Sequence, residues 1–156
     1  MFANNIEHVR TGSAPVRAAR KTAAKRAGDR TAQTPRVLIV EDEIFVAWHL
    51  EGLVRDLDYA VCGMVPDGEG AVSKAESLGA DVILMDINLK GEIDGVEAAR
   101  RIRETLDAPI IFITAYSDPK TLGRIEKTVP GATVLAKPVA VARLRTAIAN
   151  ALRDAA

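Results

Sequence analysis

The chain has 156 residues, 48% of them hydrophobic and 27% charged, and a formal net charge of zero, which suits one domain with a real core. No apolar run reaches membrane-spanning length, and the N-terminus lacks the basic-then-apolar layout of a secretory signal. Cys62 is the only cysteine, so an internal disulfide is excluded, and all of this fits a reducing cytoplasm.

The zero charge hides a split. Residues 1–36 carry eight Lys or Arg and two acids, Glu7 and Asp29, which leaves 13 basic and 19 acidic residues in the rest. Residues 1–35 are poor in large apolar side chains and cannot offset the entropy of ordering, so they read as a basic, disordered tail. Such a tail suits a solvated linker or a non-specific anchor for nucleic acid or an acidic partner surface.

From Arg36 onward, strand and helix patterns alternate. "RVLIV" (36–40) is a continuous β-branched run, as in a strand covered on both faces. Residues 43–58 have helical period, with an expected stripe of Val46, Leu50, Leu53 and Leu57 and with Val54 beside it. "AVCGMV" (60–65) is a short strand, and 67–79 begins on an acidic cap and ends on glycine, as a helix does. "DVILMD" (81–86) is the next apolar strand, followed by a helix over 94–106 with Asp94 as its cap. "APIIFIT" (108–114) is a strand, and 117–129 a helix with Pro119 in its first turn. "GATVLAKP" (131–138) runs from strand into a Lys-Pro turn, and the helix over 139–155 has the stripe Leu144, Ile148 and Leu152.

Five strands joined by helical crossovers must be parallel, with helices on both faces. The expected fold is α/β, a flavodoxin-like doubly wound sheet of order 2-1-3-4-5. Ligands of such sheets sit beyond the carboxyl ends of the strands, at the switch point between the first and third. There the first strand delivers Glu41 and Asp42, the third Asp86 and then Asn88, the fourth Thr114, and the fifth Lys137. Crowded carboxylates repel unless a cation compensates, and Lys137 or a divalent ion can do so. With oxygen donors and no His or Cys cluster, Mg²⁺ fits better than zinc. An oxygen site beside a lysine and a hydroxyl reads as a phosphoryl site, and no Walker loop or dinucleotide fingerprint points to a nucleotide. A carboxylate can itself accept phosphoryl as an acyl phosphate.

"VLIVEDE", "ILMDINL", "FITAYSD" and "LAKP", in this order and spacing, resemble the receiver domain of two-component response regulators, over about residues 36–154. The resemblance implies that Asp86 is the phosphoacceptor, charged by a sensor histidine kinase or a histidine phosphotransfer protein. It implies that Asp42 and Asp86 bind Mg²⁺, with Glu41 acting through water and Asn88 through its main-chain carbonyl. Thr114 would bond a phosphoryl oxygen, Lys137 would pair with Asp86 or its phosphate, and Pro138 follows in a bond that is commonly cis.

There are departures. Where the family often has an aromatic residue three places before the lysine, this chain has Val134. Tyr116, two places after Thr114, is either a substitute that would hinder a hydrolytic water or a partly exposed packing tyrosine. The loop after Asp86 looks one residue longer than usual, and its middle, "LKGEI", has no ready reading. Phe45 and Trp48 fall off the apolar stripe of the first helix, on a face that family kinases and phosphotransfer domains use; they are either a docking anchor or packed against the tail or the helix end. The helix over 139–155 ends near Arg153, so no output domain is expected, and output would pass to an unknown downstream protein or by onward phosphotransfer. The function expected is therefore a phosphoacceptor switch, not an enzyme. Two rivals are a DNA-associated regulator using the basic tail and a Mg²⁺-dependent Asp-nucleophile phosphatase. The second is disfavoured by Asn88, where the haloacid-dehalogenase pattern has a second Asp. The fourth-helix to fifth-helix face is a frequent family dimer surface, and the oligomeric state is left open.

Overall fold

The computed structural model describes residues 33–115 and 117–156. The basic tail up to residue 32 and Tyr116, the expected tuning residue, lie outside the described residues.

The described chain alternates β1 (Arg36–Val40), α1 (Ile44–Asp56), β2 (Ala60–Val65), α2 (Gly68–Lys74), β3 (Val82–Asp86), α3 (Gly95–Ile102), β4 (Ile110–Thr114), α4 (Pro119–Thr128), β5 (Thr133–Ala136) and α5 (Val141–Asp154). All strand pairs are parallel and the order is β2-β1-β3-β4-β5, the flavodoxin-like arrangement. The folded unit begins slightly before Arg36: the Pro35 carbonyl accepts the Ala60 N–H at 3.0 Å, and the Arg36 N–H donates to Asp81 Oδ2 at 2.9 Å.

The pleat sorts the apolar runs onto two faces. Leu38, Ile83, Met85 and Phe112 point one way and pack with Ala71 of α2, Val96 and Ile102 of α3, and Ile125 of α4. Val37, Ile39, Leu84, Ile111 and Ile113 point the other way, against Leu50 and Val54 of α1 and Leu144 and Ile148 of α5. β3 and β4 are buried at every position, as their uninterrupted apolar sequence requires.

Three sequence expectations need correcting. The stripe of α1 that is fully buried is Ala47, Leu50 and Val54, with Val46, Leu53 and Leu57 only half-buried at its margins. Ala47, one turn into the helix, is as buried as Leu50. α2 and α3 are shorter than expected, because 75–79 and 103–105 continue as turns. The turn after α2 closes at Gly79, whose φ of +62° suits glycine. Asp67 and Asp94 cap their helices as expected, each accepting a backbone N–H, and Pro119 opens α4; Asp118 caps α4 in the same way, which the sequence reading had not named.

Among the described residues no helix is long and apolar enough to cross a membrane.

Candidate functional site

In β1, β3, β4 and β5 the first polar residue after the apolar run lies at or just past the carboxyl end of the strand. β1 pairs with β3 from Val37↔Val82 to Val40↔Met85, which brings Glu41 and Asp42 beside Asp86. One oxygen from each of Glu41, Asp42 and Asp86 can be chosen so that all three lie within 4.8 Å of one another. Thr114, fully buried, is on the other side of β3: β4 pairs Ile113 with Asp86 and leads directly into it. β4 pairs Thr114 with Ala136, and the Lys137 N–H donates to the Thr114 carbonyl at 2.9 Å. That bond places Lys137 over the cluster.

The Lys137 ammonium bridges two carboxylates, at 2.7 Å from Glu41 Oε2 and 3.0 Å from Asp86 Oδ2. Burial would lower its pKa, but the hydrogen bonds to Glu41 and Asp86 outweigh burial and hold it above the ordinary lysine value. Burial pushes the Glu41 carboxyl above the usual carboxylate range, although Lys137 and the Glu43 N–H, bonded to Oε1 at 3.1 Å, pull it down. Asp86 Oδ1 accepts the Asn88 N–H at 3.3 Å, so both its oxygens are directed.

The floor of the site depends on a glycine. A Cβ on Gly95 would overlap the Asp86 carbonyl oxygen and lie 2.9 Å from its carbon and 3.0 Å from Ile87 Cα. Only glycine lets α3 start this close beneath the β3 end, with the Gly95 N–H donating to the Ile87 carbonyl at 2.9 Å. The α3 cap is tied outward as well: Arg124 of α4 bonds both Asp94 oxygens, at 2.9 Å for Nη2–Oδ1.

The remaining predicted residues divide. Val134 is half-buried in β5 and packs against the core on the α2–α4 face. The Lys137–Pro138 bond is cis. Phe45 and Trp48 do not pack into the helix end; they are 78% and 54% exposed and meet edge to face, with centroids 5.7 Å apart. His49 is exposed, and Glu43 caps α1 without a side-chain capping bond.

Two residues were missed by the sequence reading. Lys90, in the loop after β3, lies 3.5 Å from Asp42 Oδ2. Glu69, in the first turn of α2, accepts the N–H groups of Glu92 and Ile93. No periodicity signals either, because both contacts join segments far apart in sequence. A cleft of about 420 Å³ opens beside Asp42, with Asp67 and Glu69 on one wall and Lys90 and Gly91 on the other.

Fold and site together define a class: a flavodoxin-like domain with an acidic pocket at the sheet's switch point. The chain belongs to the response regulator receiver domain family, whose model matches residues 37–149. It is 34% identical over 121 residues to the transcriptional regulatory protein PdtaR of Mycobacterium tuberculosis, covering 77% of this chain and 58% of PdtaR. It is 38% identical over 117 residues to the phyllosphere-induced regulator PhyR of Methylorubrum extorquens, covering 74% of this chain and 43% of PhyR. The chain thus spans about half the length of these two relatives. Among solved structures, the signal receiver domain of a modulated diguanylate cyclase from Desulfovibrio desulfuricans superposes with a TM-score of 0.73 at 41% identity, over 79% of this chain and 97% of that one.

Proposed function

We propose that this receiver domain accepts a phosphoryl group on Asp86 from a phosphohistidine of a sensor histidine kinase or phosphotransfer protein, and signals through the surface that responds. The observation that carries this reading is the three-carboxylate cluster bridged by Lys137 at the switch point. In the transfer the bond from phosphorus to the imidazole nitrogen breaks as an Asp86 oxygen bonds to phosphorus, leaving an acyl phosphate and a free imidazole. Lys137 and the Asn88 N–H orient the carboxylate before attack, which is the positioning that phosphoryl transfer needs most.

The donor set suits Mg²⁺, a hard cation that takes carboxylate, carbonyl and water oxygens. Asp42, Asp86 and the main-chain carbonyl of Asn88 would hold it, with Glu41 contributing through water. When bound, it offsets the negative charge of the incoming phosphoryl oxygens. Glu41 is fully buried as a side chain and already bonded to Lys137 and to the Glu43 N–H, which supports an indirect part.

Phosphorylation adds up to about two negative charges and three acceptor oxygens at Asp86. The Thr114 hydroxyl and the Lys137 ammonium are the groups that would follow those oxygens. Lys137 must then loosen from Glu41, and that motion passes to β5 and its flanking turn. Val134, which replaces a larger aromatic residue, lets β5 respond by repacking alone. Phe45 and Trp48, exposed on the first two turns of α1 after Asp42, suit docking of the phosphodonor protein.

The test is treatment with a small acyl phosphodonor and Mg²⁺, read by intact mass. The wild type gains one phosphoryl group, Asp86→Asn gains none, and chelation of the metal abolishes the gain. Equal labelling of wild type and Asp86→Asn refutes the assignment. Thr114→Ala is expected to label and yet fail to change the β5 surface, as read by hydrogen exchange.

A further inference from the structure

The loop between β3 and α3 is built, not loose. Glu69 Oε1 accepts the Glu92 N–H at 2.8 Å and the Ile93 N–H at 3.2 Å. Lys90 forms an isolated parallel bridge with Asp67. Ile93 is buried, and a Cβ on Gly68 would lie 2.7 Å from its Cγ1, so loop and α2 are in close contact. Gly91, at φ +123°, makes the turn that only glycine makes cheaply.

What this loop positions is an ammonium group. Lys90 Nζ lies 3.5 Å from Asp42 Oδ2, and Asp42 itself is only 10% exposed at its side chain. Among the described residues the cluster therefore has two lysines with separate duties. Lys137 serves Glu41 and Asp86 from β5, and Lys90 serves Asp42 from the loop.

We infer that Lys90 is a tethered competitor for the metal at Asp42, and that it sets the affinity of the site for divalent cations. The inference rests on the reading of Asp42 as a metal ligand. A divalent ion takes carboxylate oxygens at about 2.0–2.1 Å if it is Mg²⁺. An ammonium 3.5 Å from a carboxylate oxygen repels an ion arriving at that carboxylate and stands in its way, so it must withdraw. Lys90 can do so, because its side chain is 85% exposed and swings into water. Exposure also limits the strength of the pair, so Lys90 tunes the metal and does not exclude it. Lys90 is in this sense a positioning residue for the site's charge and touches neither phosphoryl group nor donor.

The experiment is calorimetric titration of the full chain with MgCl₂, comparing wild type, Lys90→Met, Glu69→Ala, Lys120→Met and Asp42→Asn. Lys90→Met is expected to lower the Mg²⁺ dissociation constant by about two- to fivefold, the range of an exposed ion pair. Glu69→Ala, which releases the loop, moves it the same way by less. Lys120→Met removes a surface charge that pairs with none of the three carboxylates, and leaves the constant unchanged. An unchanged constant in Lys90→Met, or an equal fall in Lys120→Met, overturns the inference while leaving the metal reading intact. Equal Mg²⁺ binding by wild type and Asp42→Asn overturns the metal reading and the inference with it.

Discussion

Replacing Gly95 by alanine should damage both the fold and the site, and the structure says by how much. The added Cβ overlaps the Asp86 carbonyl oxygen and crowds two further backbone atoms, the Asp86 carbon and Ile87 Cα. None of these is the far end of a flexible side chain. Ordinary non-bonded separations are about 3.5 Å or more, so the peptide must give way by on the order of 1 Å. Overpacking of this kind costs about 1–3 kcal/mol. The Gly95 N–H bond to the Ile87 carbonyl is strained as well, at about 1 kcal/mol. A total of about 2–4 kcal/mol corresponds to a fall in Tm of roughly 8–16 °C for a domain of this size. Thermal unfolding followed by circular dichroism measures it. Asp86 is the residue displaced, and a shift of about 1 Å in a reacting group can cost about a hundredfold, so phosphodonor labelling should slow by up to that factor. A Tm within about 2 °C of wild type, together with unchanged labelling, would refute the reasoning.

Three more outcomes can be checked. Asp94→Asn keeps a capping side chain but loses the charge paired with Arg124. Burial would raise the Asp94 pKa, yet the Arg124 hydrogen bond and the Glu97 N–H hold it below the ordinary 3.8. A depressed folded value contributes stability above the unfolded value that is lost as pH falls through the folded one. The wild type should therefore exceed Asp94→Asn by about 1 kcal/mol near neutrality, and in urea titrations the gap should begin to close below about pH 4 and go on closing as pH falls through the depressed folded value; a pH-independent gap would contradict the pairing. Gly91→Ala should cost about 1–3 kcal/mol, because its φ of +123° is strained for any side chain, and urea unfolding should show it. Phe45→Ala and Trp48→Ala should change stability by less than about 0.5 kcal/mol, since both side chains lie largely in solvent. On the docking proposal they slow transfer from a phosphohistidine protein and leave labelling by a small donor untouched; equal slowing of both would count against it.

The strands were legible because their chemistry is local. A run such as "VILMD" suits a strand covered on both faces, its alternation with helical segments points to a parallel sheet, and the strand order was expected as the usual arrangement of five such units. The meeting of Glu41, Asp42 and Asp86 followed from that order. Helix faces were legible less exactly. The expected α1 stripe was centred on large residues, whereas the fully buried line passes through Ala47, which counts for little on a hydropathy scale. The loop "LKGEI" was opaque because its partners, Asp67, Glu69 and Asp42, belong to other segments. The close approach at Gly95 was hidden for a similar reason: a glycine after a capping Asp looks like ordinary helix punctuation, and the backbone it lies against is visible only in three dimensions.

The place of β5 in the sheet has a mechanical consequence. β3 is held by β1 on one side and β4 on the other, whereas β5 is a four-residue border strand with β4 as its single neighbour. Asp86, one anionic partner of Lys137, is thus mounted on a central strand, and the cation directly follows a border strand. Work done on that pair by an added charge will be spent deforming the border and not the centre. Fluctuations should be graded accordingly, with amides of residues 133–137 exchanging with solvent well before those of 82–86.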